Sequence, residues 1–172
     1  TLDWNTLGTP GTSFTSATVG GVTISLNAPS MFGGSTNINN DRKIIAAPIG
    51  GINTQGVQFE QTPRYSAGPP ENPGGQLITF TFSQSVYNVS FSICDIDTLG
   101  GNWSDRVIIV SPTNYTYSMP AGSGVIGDGT ATGTTTTTGP FRNSNNNNNY
   151  PNSSNAGNVT VTFPGPLTTF SM

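Results

Sequence analysis

The sequence contains no histidine and only one cysteine, Cys94. The missing histidine excludes a Cys/His zinc site and every mechanism that depends on a histidine base. A single cysteine excludes a disulfide within the chain. Cys94 lies in a predicted strand, and its default interpretation is an inert buried thiol.

Charge is also scarce. Charged residues make up 8% of the 172 residues, against roughly 25% in ordinary soluble domains. The net charge is −3, with five basic residues. Nucleic acid and anionic membrane surfaces are therefore not predicted as partners, because both require a basic face. A polar surface with so little charge favours self-association.

Long apolar runs are missing as well. None approaches the ~20 residues of a membrane span, so no membrane span is predicted. No signal peptide is visible, and the start at Thr1 is what we expect of a secreted form whose leader has been removed. Five N-x-S/T sequons suit a secreted, glycosylated protein. The glycosylation candidates are Asn88, Asn102, Asn114, Asn152 and Asn158.

What the chain has in abundance is short alternating segments separated by turn residues. Gly20 and Gly21 between two such segments predict a β-hairpin, because glycine supplies the positive φ of a primed turn. The short link at residues 83–85 predicts that its flanking strands form an antiparallel pair. The clearest predicted strands are residues 14–19, 22–26, 76–82, 86–94, 106–110, 158–163 and 167–172.

No stretch of ten residues keeps a helical period, so the sequence predicts an all-β, antiparallel, jelly-roll-like β-sandwich with long Gly/Thr/Asn-rich loops. Residues 11–172 are predicted to form this single domain, preceded by an extended segment, residues 1–10. Residues 121–157 contain a Thr tract and an Asn run. They are predicted to be a low-complexity surface excursion, because such a composition buries little apolar surface.

Four short motifs resemble a β-sandwich module that recurs in large secreted bacterial surface proteins, including adhesin-like ones. The resemblance covers most of the chain and implies a non-catalytic role in attachment or scaffolding. The motifs are Leu2-Asp3-Trp4-Asn5 with VGGVT at 19–23, ITFTFSQSVYNV at 78–89, residues 91–110 with Asp-Ile-Asp and Asp-Arg-Val, and residues 157–163 with Pro166-Leu167.

Modules of this kind continue past the last matched strand, whereas this chain stops at Met172. Either the final strand is short or a strand is missing from the sandwich. A missing strand would leave an apolar groove and an unpaired edge, and such an edge is a template for another chain. Residues 1–9 are a candidate donor strand, with Leu2, Trp4 and Leu7 as the predicted inter-subunit contacts.

Asp95, Asp97 and Asp105 flank one turn in a chain with only eight acidic residues. Three carboxylates with loop carbonyls suit Ca²⁺, which takes six to eight oxygen ligands. The alternative is structural, with Asp97 capping the turn and Asp95 paired with Arg106. Glycoside hydrolysis also uses paired carboxylates, but no aromatic sugar cleft accompanies them in the sequence.

Trp103 follows the same turn and has two interpretations. It could stack on a sugar, or it could pack on the end of the sandwich. Tyr115, Tyr117 and Tyr150 could also line a sugar site, but they are scattered along the chain.

The sequence therefore predicts a secreted, non-enzymatic, self-assembling subunit of a cell-surface fibre, pilus-like filament or adhesin, joined by strand pairing or by an N-terminal donor strand. The alternative is a carbohydrate-binding module with Trp103 at its sugar site, with or without Ca²⁺. The predicted partners are further copies of the chain or glycans, and Ca²⁺ is the one cofactor that the acidic turn suggests.

Overall fold

The computed structural model describes residues 1–33, 35–37, 39–62, 74–100, 103–145 and 147–172. These residues form antiparallel strands and one three-residue 3₁₀ helix, Trp4–Thr6, without an α-helix among them, which confirms the predicted all-β class. The strands are β1 (Ser16–Val19), β2 (Val22–Leu26), β3 (Ser30–Phe32), β4 (Thr36–Asn37), β5 (Lys43–Ile45), β6 (Gly56–Gln58), β7 (Gln61–Thr62), β8 (Gly75–Leu77), β9 (Thr79–Val86), β10 (Val89–Ile93), β11 (Thr98–Leu99), β12 (Trp103–Ser104), β13 (Arg106–Val107), β14 (Thr116–Ser118), β15 (Val125–Ile126), β16 (Phe141–Asn143), β17 (Val159–Phe163) and β18 (Leu167–Ser171).

A four-stranded sheet in the order β1-β2-β9-β18 forms one half of the core. Its first hairpin is the predicted one, with Val19 opposite Val22 and with Gly20 and Gly21 at φ 58° and 79°. Both values fit a primed turn, whose twist matches that of the flanking strands.

A three-stranded sheet in the order β10-β17-β14 forms the other half. The prediction that the strands on either side of residues 83–85 pair with each other is wrong. β9 runs through these residues to Val86 and pairs with β2 and β18, whereas β10 pairs with β17. Asn88, at φ 54°, lies in the connection between them. The chain passes here from one sheet to the other.

Aromatic side chains fill the space between the two sheets. Phe170 of β18 stacks on Phe91 of β10, with ring centroids 5.0 Å apart, and lies 5.1 Å from Phe163 of β17. Val161 and Phe163 are fully buried. The two sheets therefore share one core. The jelly-roll-like connectivity stays a prediction.

Smaller sheets surround this core, in the pairings β3-β8, β4-β7, β5-β6, β11-β12 and β13-β16-β15. The sheet β13-β16-β15 takes two of its strands, β15 and β16, from residues 121–157. This part of the chain was predicted to be a surface excursion, but it contributes buried residues. Phe141 of β16 is fully buried, and Val125 of β15 is 4% exposed. One large aromatic side chain is enough to anchor a polar tract, because its burial stabilises the fold by about 1.5–3 kcal/mol. Residues 134–138 are exposed, as expected.

Candidate functional site

The acidic turn is organised by hydrogen bonds to Asp97, which is 3% exposed. Trp103 Nε1 donates to Asp97 Oδ1 at 3.1 Å, and the Tyr150 amide donates to Asp97 Oδ2 at 2.8 Å. The Asp105 amide donates to the Asp97 carbonyl at 3.0 Å. These bonds match the structural alternative, in which Asp97 caps the turn.

The other two carboxylates, those of Asp95 and Asp105, belong to the same turn. Asp95 is exposed on one side, but partial desolvation, and after it the charge of Asp97, raises its pKa to about 6. Burial raises the pKa of Asp105 to about 7. Within the described residues, no three Asp, Glu, Cys or His side chains group as a metal site would require. The calcium site stays a prediction.

The structural alternative paired Asp95 with Arg106, and the described residues do not form this ion pair. Within the described ranges, the one ion pair joins Arg42 to Asp41, at 3.2 Å. Arg106 is instead exposed and lies opposite Arg142 in the pairing of β13 with β16.

Trp103 is partly buried in the two-stranded sheet β11-β12, where it lies opposite Leu99. Its indole N–H donates a hydrogen bond to Asp97. These contacts favour the packing role of Trp103 over sugar stacking.

The N-terminal segment differs from the predicted extended donor strand. Asp3 caps the 3₁₀ helix, and the Trp4 ring packs edge-on against buried Phe14, with centroids 5.0 Å apart. The Asn5 side chain donates to Thr54 Oγ1 at 3.0 Å. A capping aspartate and an apolar platform on the chain's own body make this fold-back favourable. Leu2, Trp4 and Leu7 are consequently partly buried within one chain.

The predicted glycosylation sites fall into two groups. Asn88, Asn114 and Asn152 are exposed. Asn158 is 5% exposed and donates from Nδ2 to the Gly50 carbonyl at 2.7 Å, so it cannot carry a glycan in the folded chain, and that assignment is wrong. Asn102 lies outside the described residues.

Cys94 is partly buried and free. Burial, together with the charge of Asp95, raises the pKa of its thiol to about 11. The thiol is therefore protonated at neutral pH, which matches the inert interpretation.

The outer edge of β10 is an open sheet edge. In the part of the chain that the structure describes, β10 pairs with β17 alone and no further strand lies beside it. Its inward-facing residues Val89, Phe91 and Ile93 are only partly buried. The matching residues of β17 are completely buried. The core is thus incompletely covered along this edge.

The edge of β18 is bridged at its last residue, Ser171. The amides of Val110 and Ser171 each donate to the other residue's carbonyl at 2.8 Å. This bridge occupies one end of the edge, where another chain could otherwise pair.

A groove of about 390 Å³ lies beside β14. It brings together Tyr115, Tyr117 and Asp128, although Tyr150 lies elsewhere, at the acidic turn. Both tyrosines were sugar-site candidates in the sequence, but Asp128 was not, because no local pattern connects it to them. The Tyr-x-Tyr spacing was the available signal, since alternate residues of a strand share a face.

No protein-family model, curated protein or solved structure matches the chain. The described residues include no helix with the length and hydrophobicity needed to cross a membrane.

Proposed function

We propose that the chain is a non-catalytic extracellular structural module, a self-assembling subunit of a cell-surface fibre, pilus-like filament or adhesin. The observation that carries the proposal is the open edge of β10. Its five residues, Val89–Ile93, offer unpaired backbone groups to a second copy above an apolar face that is only partly covered.

Edge pairing is the favoured mode of assembly. An added strand gains main-chain hydrogen bonds along β10 and covers Val89, Phe91 and Ile93. The N-terminal segment is less suited to this role, because Trp4 would have to leave Phe14 before it could reach another subunit. The strand β1 is an open edge of the other main sheet in the described chain, since it pairs only with β2. Open edges on both main sheets allow continued assembly.

The absence of catalysis is part of the same proposal. The chain has no histidine. Asp97, the most buried acid of the turn, has both carboxylate oxygens engaged by Trp103 and Tyr150. A carboxylate held in this way is suited to stabilising a turn.

The extracellular assignment rests on composition. Three exposed sequons and a surface with few charges suit a secreted protein. Low charge also reduces the repulsion between identical subunits, which favours their association.

The proposal is tested by the oligomeric state of the purified protein, using sedimentation velocity over a range of concentrations together with negative-stain microscopy. We expect the wild type to associate as its concentration rises. The double variant Ser90→Lys/Ser92→Lys should stay monomeric, because two charges on the outward side of β10 oppose strand addition.

Thr81→Lys is the matched control, since Thr81 is exposed on the internal strand β9. It should associate like the wild type. A wild type that remains monomeric at millimolar concentration contradicts the proposal, and so does a double variant that still associates.

A further inference from the structure

The groove beside β14 has a volume within the range of small-ligand sites, ~300–1,000 Å³. Its floor includes Ile109, which is 6% exposed. Its walls combine Tyr115 and Tyr117 with hydroxyl, amide and carboxylate groups. Aromatic surface beside a few polar groups is the composition expected of a binding site.

Both tyrosine rings are held in place. Tyr117 meets the buried Phe141 edge-on, with centroids 5.2 Å apart, and remains 41% exposed. Tyr115 packs edge-on against Phe163 at 5.8 Å, and its hydroxyl donates to the Asp128 carbonyl at 2.8 Å. A ring that is already fixed loses little conformational entropy when a ligand binds to it.

The Asp128 carboxylate is also fixed. Three donors converge on Oδ1, namely the Thr130 amide at 3.0 Å, Thr130 Oγ1 at 2.6 Å and the Gly139 amide at 2.9 Å. These hydrogen bonds lower the pKa of Asp128, so that it is ionised at neutral pH. Its other oxygen, Oδ2, receives no hydrogen bond from another described residue, and Asp128 lines the groove.

The chemistry of the groove selects a class of ligand. An ionised carboxylate accepts hydrogen bonds and repels anions, which disfavours phosphates, nucleic acids and acidic sugars. A flat aromatic ring with one exposed face suits an apolar face of the ligand. A neutral sugar ring provides hydrogen-bond donors for the carboxylate and an apolar face for the aromatic ring, since it carries hydroxyls at its rim and C–H groups on its face.

We propose that this groove binds a neutral pyranose glycan, which stacks on Tyr117 and donates hydroxyl hydrogen bonds to Asp128 Oδ2. Asn114 and Thr130, both exposed at the rim, exchange further hydrogen bonds with it. The site differs from the sugar site predicted at Trp103. It is independent of the edge at β10, so a self-assembling fibre would present one copy on each subunit.

Binding is measured by titration calorimetry on protein made without N-glycosylation, so that Asn114 is unmodified. The probes are cellohexaose, maltohexaose and mannohexaose, with trigalacturonate as the acidic comparison. We expect at least one neutral probe to bind with a Kd of about 10 μM to 1 mM, which corresponds to roughly −7 to −4 kcal/mol. Trigalacturonate should not bind.

Tyr117→Ala should weaken that binding about tenfold or more, whereas Tyr117→Phe should retain it because the stacking ring remains. Tyr87→Ala is the matched control, since Tyr87 is 65% exposed outside the groove. Asn114→Arg fills the rim without touching the Tyr117–Phe141 contact. It should abolish binding even if Tyr117→Ala fails to fold.

Three results would overturn the proposal. They are the failure of every neutral probe to bind, a preference for the acidic probe, and an affinity that Asn114→Arg leaves unchanged. Neither assembly nor its loss in the β10 variants bears on these outcomes, because the groove lies beside the opposite edge of the three-stranded sheet.

Discussion

Asp97 and Asp105 place two carboxylates in one partly buried turn, and the two carboxylates differ in their hydrogen bonds. Asp97 receives donors from Trp103 and Tyr150. Asp105 Oδ2 accepts one long hydrogen bond from the Asp97 amide, at 3.3 Å. Burial and the neighbouring acids raise the pKa of Asp105 to about 7. At neutral pH its ionisation therefore opposes folding.

The raised pKa of Asp105 predicts that the free energy of unfolding falls as the pH rises. Between pH 4 and 7 the folded chain retains a proton on Asp105 that the unfolded chain has lost, so the free energy of unfolding decreases up to the folded pKa and then levels off. We expect the wild type in EDTA to be less stable at pH 8 than at pH 5 by roughly 2 kcal/mol, or about 5 °C in Tm. Asp105→Asn should raise the Tm at pH 8 and flatten most of the slope.

Asp3→Asn, at an exposed cap, is the control and should leave the slope unchanged. A wild-type Tm that rises from pH 5 to pH 8 would contradict this prediction. If added CaCl₂ raises the Tm at pH 8 and Asp105→Asn removes the effect, the calcium prediction regains support.

At the scale of elements, one aromatic residue decides the position of a polar segment. Residues 121–157 contain the Thr tract and the Asn run, yet β16 begins with the fully buried Phe141. The Arg142 side chain then donates to the carbonyls of Thr135 and Pro140, at 2.7 and 2.9 Å. These bonds tie the exposed tract back to the anchored strand.

Phe141→Ala should therefore cost about 3–5 kcal/mol in the free energy of unfolding, through lost burial and the cavity that remains. Thr136→Ala, in the exposed part of the same segment, should change it by less than ~0.5 kcal/mol. Urea denaturation followed by circular dichroism measures both. Phe141→Leu gives a milder variant, with an expected cost of about 1.5 kcal/mol, if the alanine variant does not fold. Equal effects of the two alanine substitutions would contradict the assignment of Phe141 to the core.

At the scale of the whole molecule, the two main sheets stabilise each other through a shared aromatic cluster. Phe80 and Phe170, on neighbouring strands of one sheet, stack at 4.8 Å, and Phe170 also contacts Phe91 of the other sheet. Neither sheet retains its buried face without the other. The N-terminal segment joins the same body through Trp4.

The chain should therefore unfold in one cooperative step. Trp103→Phe leaves Trp4 as the single tryptophan, which reports on the N-terminal segment, and Trp4→Phe leaves Trp103 at the acidic turn. In each variant we expect the urea midpoint from fluorescence to coincide with that from far-UV circular dichroism. An earlier Trp4 transition would show that the segment detaches on its own, and would return it to consideration as a donor strand.

The sequence by itself determined the class of the fold. Alternation of apolar and polar residues is a local property, and so is the Gly20-Gly21 turn, so the all-β class and the first hairpin could be predicted. Composition alone also excluded histidine chemistry and disulfides within the chain.

Only the tertiary structure decided which strands pair and which residues meet. Local alternation does not specify a partner, so the separation of β9 from β10 and the bridge between Val110 and Ser171 could not be predicted. The burial of Asn158 beside Gly50 and the approach of Asp128 to Tyr115 depend on contacts between distant parts of the chain. The sequence predicted that an unpaired edge would be present but did not place it at β10, because its position depends on how the two sheets cover each other.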